Sequence, residues 1–125
     1  MSQTFKLHSF FRSSASWRVR IALSVKGLDY ETIPINIRAG THQRHPYNEL
    51  NPGQLVPALE IDGHVLSQSL AIIECLDELY PEPPMLPSDP SERARVRAVA
   101  QHIACEVHPL NNLRVLNYLK SKLGL

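Results

Sequence analysis

The stretch Arg12-Ser13-Ser14-Ala15-Ser16-Trp17 puts three hydroxyls just ahead of a helix-forming run that reaches Lys26. Serines in such a place do one of two things. A side-chain oxygen accepts a backbone N–H and caps the helix, or a hydroxyl donates its proton to an anion held at the positive end of the helix dipole. A second stretch, Leu55-Val56-Pro57-Ala58, sets a proline before a strand. A cis bond there leaves the Val56 backbone free to pair with an extended peptide, whereas a trans proline merely starts the strand. A third, Ser67-Gln68-Ser69, opens another helix, whose first N–H groups suit a carboxylate or are simply capped. A thiolate donor, a backbone ladder and a carboxylate cradle together match a tripeptide thiol.

The elements that hold these groups follow from hydrophobic spacing. Phe5 and Leu7 alternate with polar residues in a first strand. Trp17, Ile21 and Val25 recur at helical spacing, so they are the expected buried face of the first helix, with Ala22 widening it and Gly27 ending it. Ile33, Ile35 and Ile37 alternate in a second strand from Tyr30 to Ile37, which completes a βαβ unit. Residues 38–54 are polar and rich in turn formers. Asp62-Gly63, between Leu59/Ile61 and Val65, is a two-residue hairpin turn. A helix then runs from the serines near 67–69 to Pro81.

Residues 1–81 therefore spell β-α-β-loop-β-β-α, an α/β thioredoxin-like domain. Dithiol oxidoreductases of that fold carry two cysteines at the first strand–helix junction. The junction here has no sulfur, which excludes disulfide exchange at it, so the anion comes from outside.

Five of the ten prolines fall within residues 81–90, and 82–89 is expected to be a stiff linker. Asp89 as N-cap, Pro90 at the first helical position and Glu92 two residues on predict a capping box. The helix is expected to run to Val107, with Val96, Val99, Ile103 and Val107 on its apolar face and Pro109 breaking it. A second helical pattern follows, so 90–125 read as part of an all-α domain whose apolar faces outnumber their partners in the sequence. A chain cut there is expected to self-associate.

Net charge is +1, which gives no reason to expect nucleic acid or a membrane surface as partner. Arg18, Arg20, Arg93, Arg95 and Arg97 read as solvated helix faces. Cys75 and Cys105, the only cysteines, read as buried apolar residues in a reducing compartment. With no signal-peptide core and no membrane-length apolar run, the cytoplasm is the expected location. His42 and His45 share a face without a third ligand nearby, so no metal site is expected.

Four stretches, RSSASWRVRIALSVKGLDYE, LNPGQLVPALEIDG, QSLAIIECLDE and HPLNNLRVLNYL, resemble the zeta class of glutathione transferases, which includes the maleylacetoacetate isomerases. The likeness runs from Lys6 to Tyr118. It implies glutathione as cofactor, a homodimer, and glutathione-dependent cis–trans isomerisation of maleylacetoacetate to fumarylacetoacetate in aromatic amino acid catabolism, with glutathione transfer as a side activity. Carried over residue by residue, it makes Ser13 the activator of the glutathione sulfur, with Ser14 beside it and Ser16 in the same motif. Val56, Gln68 and Ser69 match the backbone and γ-glutamyl contacts. His42 falls near a contact to the glycyl end; His108, Asn112 and Arg114 fall where the fourth helix meets the site, or serve core or surface roles. Ala15 stands where the family has cysteine, which puts protein-thiol side reactions in doubt but not addition chemistry. The alternatives are a maleylpyruvate isomerase, or a non-catalytic glutathione-binding or dimerising fragment.

Overall fold

Four strands form one mixed sheet: β1 (Phe5–Ser9), β2 (Tyr30–Pro34), β3 (Ala58–Ile61) and β4 (His64–Ser67), in the order β2-β1-β3-β4. β1 runs parallel to β2 and antiparallel to β3, and β3 is antiparallel to β4. The computed structural model describes residues 4–125. The chain divides into two units, Met1–Met85 and Leu86–Leu125.

The sheet lies in the first unit, with α1 (Ser14–Val25), α2 (Tyr47–Leu50) and α3 (Ser69–Leu79). Because side chains alternate along a strand, Phe5 and Leu7 point to one face, where they pack with Val19, Leu23, Ile72 and Leu76 of α1 and α3. The opposite face buries a smaller cluster of Ile35, Tyr47 and Ala58. The hairpin forms as expected: Asp62 and Gly63 both have positive φ, 49° and 79°, and Ile61 pairs with His64. A Cβ on Gly63 would meet nothing within 4 Å, so only the backbone opposes a side chain. Gly63→Ala is expected to cost about 1–2 kcal/mol in urea melts.

Several expectations are corrected. Trp17, Ile21 and Val25 are 61, 53 and 48 % exposed, while Ser16, Val19, Ala22 and Leu23 form the buried side of α1. Helical spacing marks two apolar stripes on α1, and the sheet takes the one with the smaller residues. β2 ends at Pro34, which lacks an N–H; the Ile35 amide makes one more bond, to the Ser9 carbonyl, before the chain turns away. Cys75 is half-buried and Cys105 exposed, both as free thiols.

In the second unit α4 spans Pro90–Gln101 rather than reaching Val107. Residues His102–Val107 widen into a π-helix and His108–Leu110 tighten into a 3₁₀ turn before α5 (Leu113–Leu123). Pro109 brings no N–H and its ring crowds the carbonyl four residues back, so the regular ladder cannot continue through it. Asp89 caps α4 by accepting the Glu92 N–H at 3.0 Å, but the Glu92 carboxylate turns to Arg95 at 3.2 Å instead of closing the box. Val96, Val99, Ile103 and Val107 are all exposed. Among the described residues no helix is long and apolar enough to cross a membrane, and no three His, Cys, Asp or Glu side chains cluster as a metal site would need.

Candidate functional site

Strand directions bring the first-unit candidates to one end of the sheet. Ser13 follows the C-terminal end of β1; Val56 precedes β3, which runs the other way beside it; Gln68 follows β4, which runs with β1 again. The loop that carries His42 leaves β2 at this same end.

Ser13 is the N-cap of α1, with extended backbone, and its Oγ accepts the Ser16 N–H at 3.1 Å. Capping and donation do not compete. A hydroxyl has two acceptor lone pairs and one proton, so an oxygen that accepts the Ser16 N–H still has its proton to give. Ser14 is exposed and Ala15 half-buried. Ser16 is fully buried, and its Oγ has no hydrogen-bond partner among the described residues.

At the start of α3, Gln68 is exposed and holds φ at +71°, a conformation that side chains other than glycine rarely adopt. It turns the chain sharply from β4 into the helix. Ser69 is buried, and its Oγ accepts from the Arg18 guanidinium at 3.0 Å. Arg18 is therefore not the solvated residue its charge pattern suggests; it joins α1 to the first residue of α3. Arg20 likewise donates to the Phe11 carbonyl at 3.1 Å. Serine 69 keeps its own proton for an acceptor, with a fixed positive charge beside it.

The Val56–Pro57 bond is cis, as is His45–Pro46 nearby. Neither the N–H nor the C=O of Val56 has a hydrogen-bond partner among the described residues. His42 sits half-buried in a short 3₁₀ turn, Thr41–Gln43, with Nδ1 buried and unpartnered among the described residues. Burial lowers its pKa below the ordinary 6.5, so the ring is neutral at pH 7.

His108, Asn112 and Arg114 belong to the second unit. His108 opens the 3₁₀ turn and Arg114 is exposed. Asn112 N-caps α5, its Oδ1 accepting the Arg114 and Val115 N–H groups at 3.0 and 3.4 Å.

Two further residues, Tyr47 and Asn51, carry no mark of a site in the sequence. Both are buried and both donate to the Leu55 carbonyl, Asn51 at 2.8 Å. The only sign of this in the sequence is an asparagine ahead of Pro52-Gly53, where a carboxamide readily pins a turn; its Oδ1 accepts the Gly53 N–H at 3.1 Å.

Residues 7–84 match the family described as glutathione S-transferase, N-terminal domain. The maleylacetoacetate isomerase of Pseudomonas aeruginosa is 54 % identical over 118 residues, which is 92 % of this chain and 56 % of that protein. The maleylpyruvate isomerase of a Ralstonia species is 48 % identical over 119 residues, 95 % of this chain and 56 % of that protein. The chain thus spans a little over half the length of these relatives. Among solved structures, the holo form of a maleylpyruvate isomerase, a bacterial glutathione S-transferase of the zeta class, superposes with a TM-score of 0.93 at 48 % identity, over 96 % of this chain and 57 % of that one. The maleylacetoacetate isomerase of Anaeromyxobacter dehalogenans, with glutathione in its active site, gives 0.85 at 44 % identity, over 98 % and 58 %.

Proposed function

The chain belongs to the glutathione S-transferase family, in its zeta-class branch, and from that premise we propose that the protein carrying it isomerises maleylacetoacetate to fumarylacetoacetate with glutathione as cofactor. In this reading residues 1–81 are the glutathione-binding domain, 82–89 a linker and 90–125 the first part of an all-α domain. The protein acts as a homodimer in the cytoplasm.

The observation that supports it most is the convergence of unsatisfied groups at one end of the sheet. Glutathione offers a thiol, two peptide groups and two carboxylates, and each meets a fitting residue. The Ser13 proton is available to the sulfur, and the Val56 N–H and C=O to the cysteinyl backbone. The α3 N-terminus with Gln68, Ser69 and the Arg18 charge suits the γ-glutamyl carboxylate. His42 suits the glycyl end.

When bound, glutathione supplies a nucleophilic sulfur that adds to the conjugated cis double bond and leaves again. The chain's part is to make that sulfur anionic. Free thiols have a pKa of about 8.5, and a hydroxyl donor at the head of a twelve-residue helix favours the thiolate over the thiol. Ser13 provides the donor, Ser14 lies next to it, and Ala15 leaves no competing protein thiol.

Maleylpyruvate is the second substrate to test, because a maleylpyruvate isomerase superposes at a TM-score of 0.93. Comparing kcat/KM for the two acids in the full-length protein, with and without glutathione, decides between them. Absence of glutathione-dependent isomerisation would leave the binding-module alternative.

The His42 assignment makes a pH prediction. Its pKa is depressed in the folded chain. A carboxylate placed beside it favours the charged ring, so its pKa is higher in the complex than in the free protein. Binding then takes up a proton, and affinity should rise as pH falls through the interval between those two values. In titration calorimetry His42→Gln is expected to flatten this dependence; an unchanged slope would remove His42 from the glycyl end.

A further inference from the structure

We propose that Tyr47 and Asn51 are positioning residues that grip the Leu55 carbonyl and thereby aim the Val56 N–H at the ligand. The proposal rests on the reading of this end of the sheet as a glutathione site.

Tyr47 begins α2 and Asn51 follows its last residue, and they are 3 and 5 % exposed. The Tyr47 hydroxyl and the Asn51 Nδ2 both donate to the Leu55 oxygen, which occupies both of its lone pairs. Asn51 does more. Its Oδ1 accepts the Gly53 N–H at 3.1 Å and its backbone carbonyl accepts the Gln54 N–H at 2.9 Å. One side chain and one carbonyl thus set the path of residues 51–55, including Gln54 at a φ of +53°.

The consequence reaches Val56 through covalent geometry. A trans peptide unit is planar, with its C=O and N–H pointing in opposite directions. The Leu55 oxygen and the Val56 hydrogen belong to one such unit. Holding the oxygen against Tyr47 and Asn51 turns the Val56 N–H away from them. The Val56 C=O, a residue further on, is unpaired too, so the pair matches the N–H and C=O that one residue of an extended peptide exchanges in an antiparallel ladder. Packing alone does not call for these residue types. Tyr47 lies in an apolar cluster with Ile35 and Ala58, where a phenylalanine ring would fill the same space. The hydroxyl matters for what it holds.

The test uses the full-length protein and two ligands: glutathione, and an analogue whose cysteinyl–glycyl amide is replaced by an ester, a poorer acceptor for the Val56 N–H. Tyr47→Phe and Asn51→Asp each remove one donor, and the aspartate keeps an oxygen for Gly53. Each variant is expected to bind glutathione about 2- to 10-fold more weakly, the range of one hydrogen bond. The unaltered chain should prefer glutathione to the ester, and that preference should shrink in both variants. The Val56 amide resonance should shift when glutathione is added to the unaltered chain and shift less in Tyr47→Phe.

Affinities equal to those of the unaltered chain would overturn the role. So would variants that lose amide and ester equally, because Tyr47 and Asn51 would then only staple the loop. An unaltered chain that ignores glutathione would overturn the reading of the site as well, which separates the two failures. If Asn51→Asp does not fold, Tyr47→Phe and the Val56 resonance decide alone.

Discussion

Alanine at Ser13, in the full-length protein, is expected to lower kcat about 100- to 1,000-fold while glutathione binding falls far less. That range is what removing one donor to a developing anion does in a preorganised site. The structure shows why alanine alone is an ambiguous change: Ser13 also caps α1 through the Ser16 N–H, and losing a serine cap costs about 1 kcal/mol of stability. Glycine resolves it. Glycine caps nearly as well as serine, within a few tenths of a kcal/mol, but has no hydroxyl. Ser13→Gly should therefore keep the melting temperature and stay as inactive as Ser13→Ala. If glycine restores turnover, Ser13 is a cap and nothing more, and Ser14, exposed at the first position of α1, becomes the donor to test.

The parts of this fold that local chemistry controls were legible in the residues. Asp62-Gly63 is a pair that tolerates positive φ at both positions, and it produced the hairpin at that place. Asp89-Pro90 started a helix there. The parts that local chemistry leaves open depend on choices between equivalents. α1 carries two apolar stripes, Trp17/Ile21/Val25 and Val19/Ala22/Leu23. Periodicity cannot say which of them the sheet takes. Close packing against a sheet favours the smaller side chains, and it left the tryptophan outside.

The same limit holds at the site. Ser13, Val56, Gln68 and Ser69 stood out because a helix start or a proline marks each one. Arg18 and Tyr47 did not, because what they do depends on partners 51 and 8 residues away. A contact of that kind leaves no local pattern.

Lys26→Met is expected to destabilise the first unit by about 3–5 kcal/mol, a large part of the 5–15 kcal/mol typical of a domain. The Lys26 side chain is fully buried at the end of α1. Its Nζ donates to Asp77 at 2.5 Å and to the Pro83 carbonyl at 2.6 Å, and Asp77 also accepts the Met85 N–H at 3.0 Å. Methionine fills the space but takes the Lys26 cation from the 14 %-exposed Asp77 carboxylate and the Lys26 donor from the Pro83 oxygen.

Asp77→Asn in the same chain removes the carboxylate's charge and keeps an oxygen for Met85. The double variant should be more stable than the sum of the single losses implies, by a coupling of about 0.5–3 kcal/mol in urea melts. Additive losses would mean that the charge is not what the pair contributes.

The pair matters to the site because of where it sits. Arg18 and Ser69 join α1 and α3 near their first turns, at the end where Ser13 and Gln68 lie; Lys26 and Asp77 join the same helices near their last turns. Two ties, one at each end, keep the helices parallel and fix the spacing of their N-termini. With the near tie intact, Lys26→Met should lower stability much more than it lowers glutathione affinity. In a combined variant with Arg18→Met, affinity should fall more than the two single changes together predict.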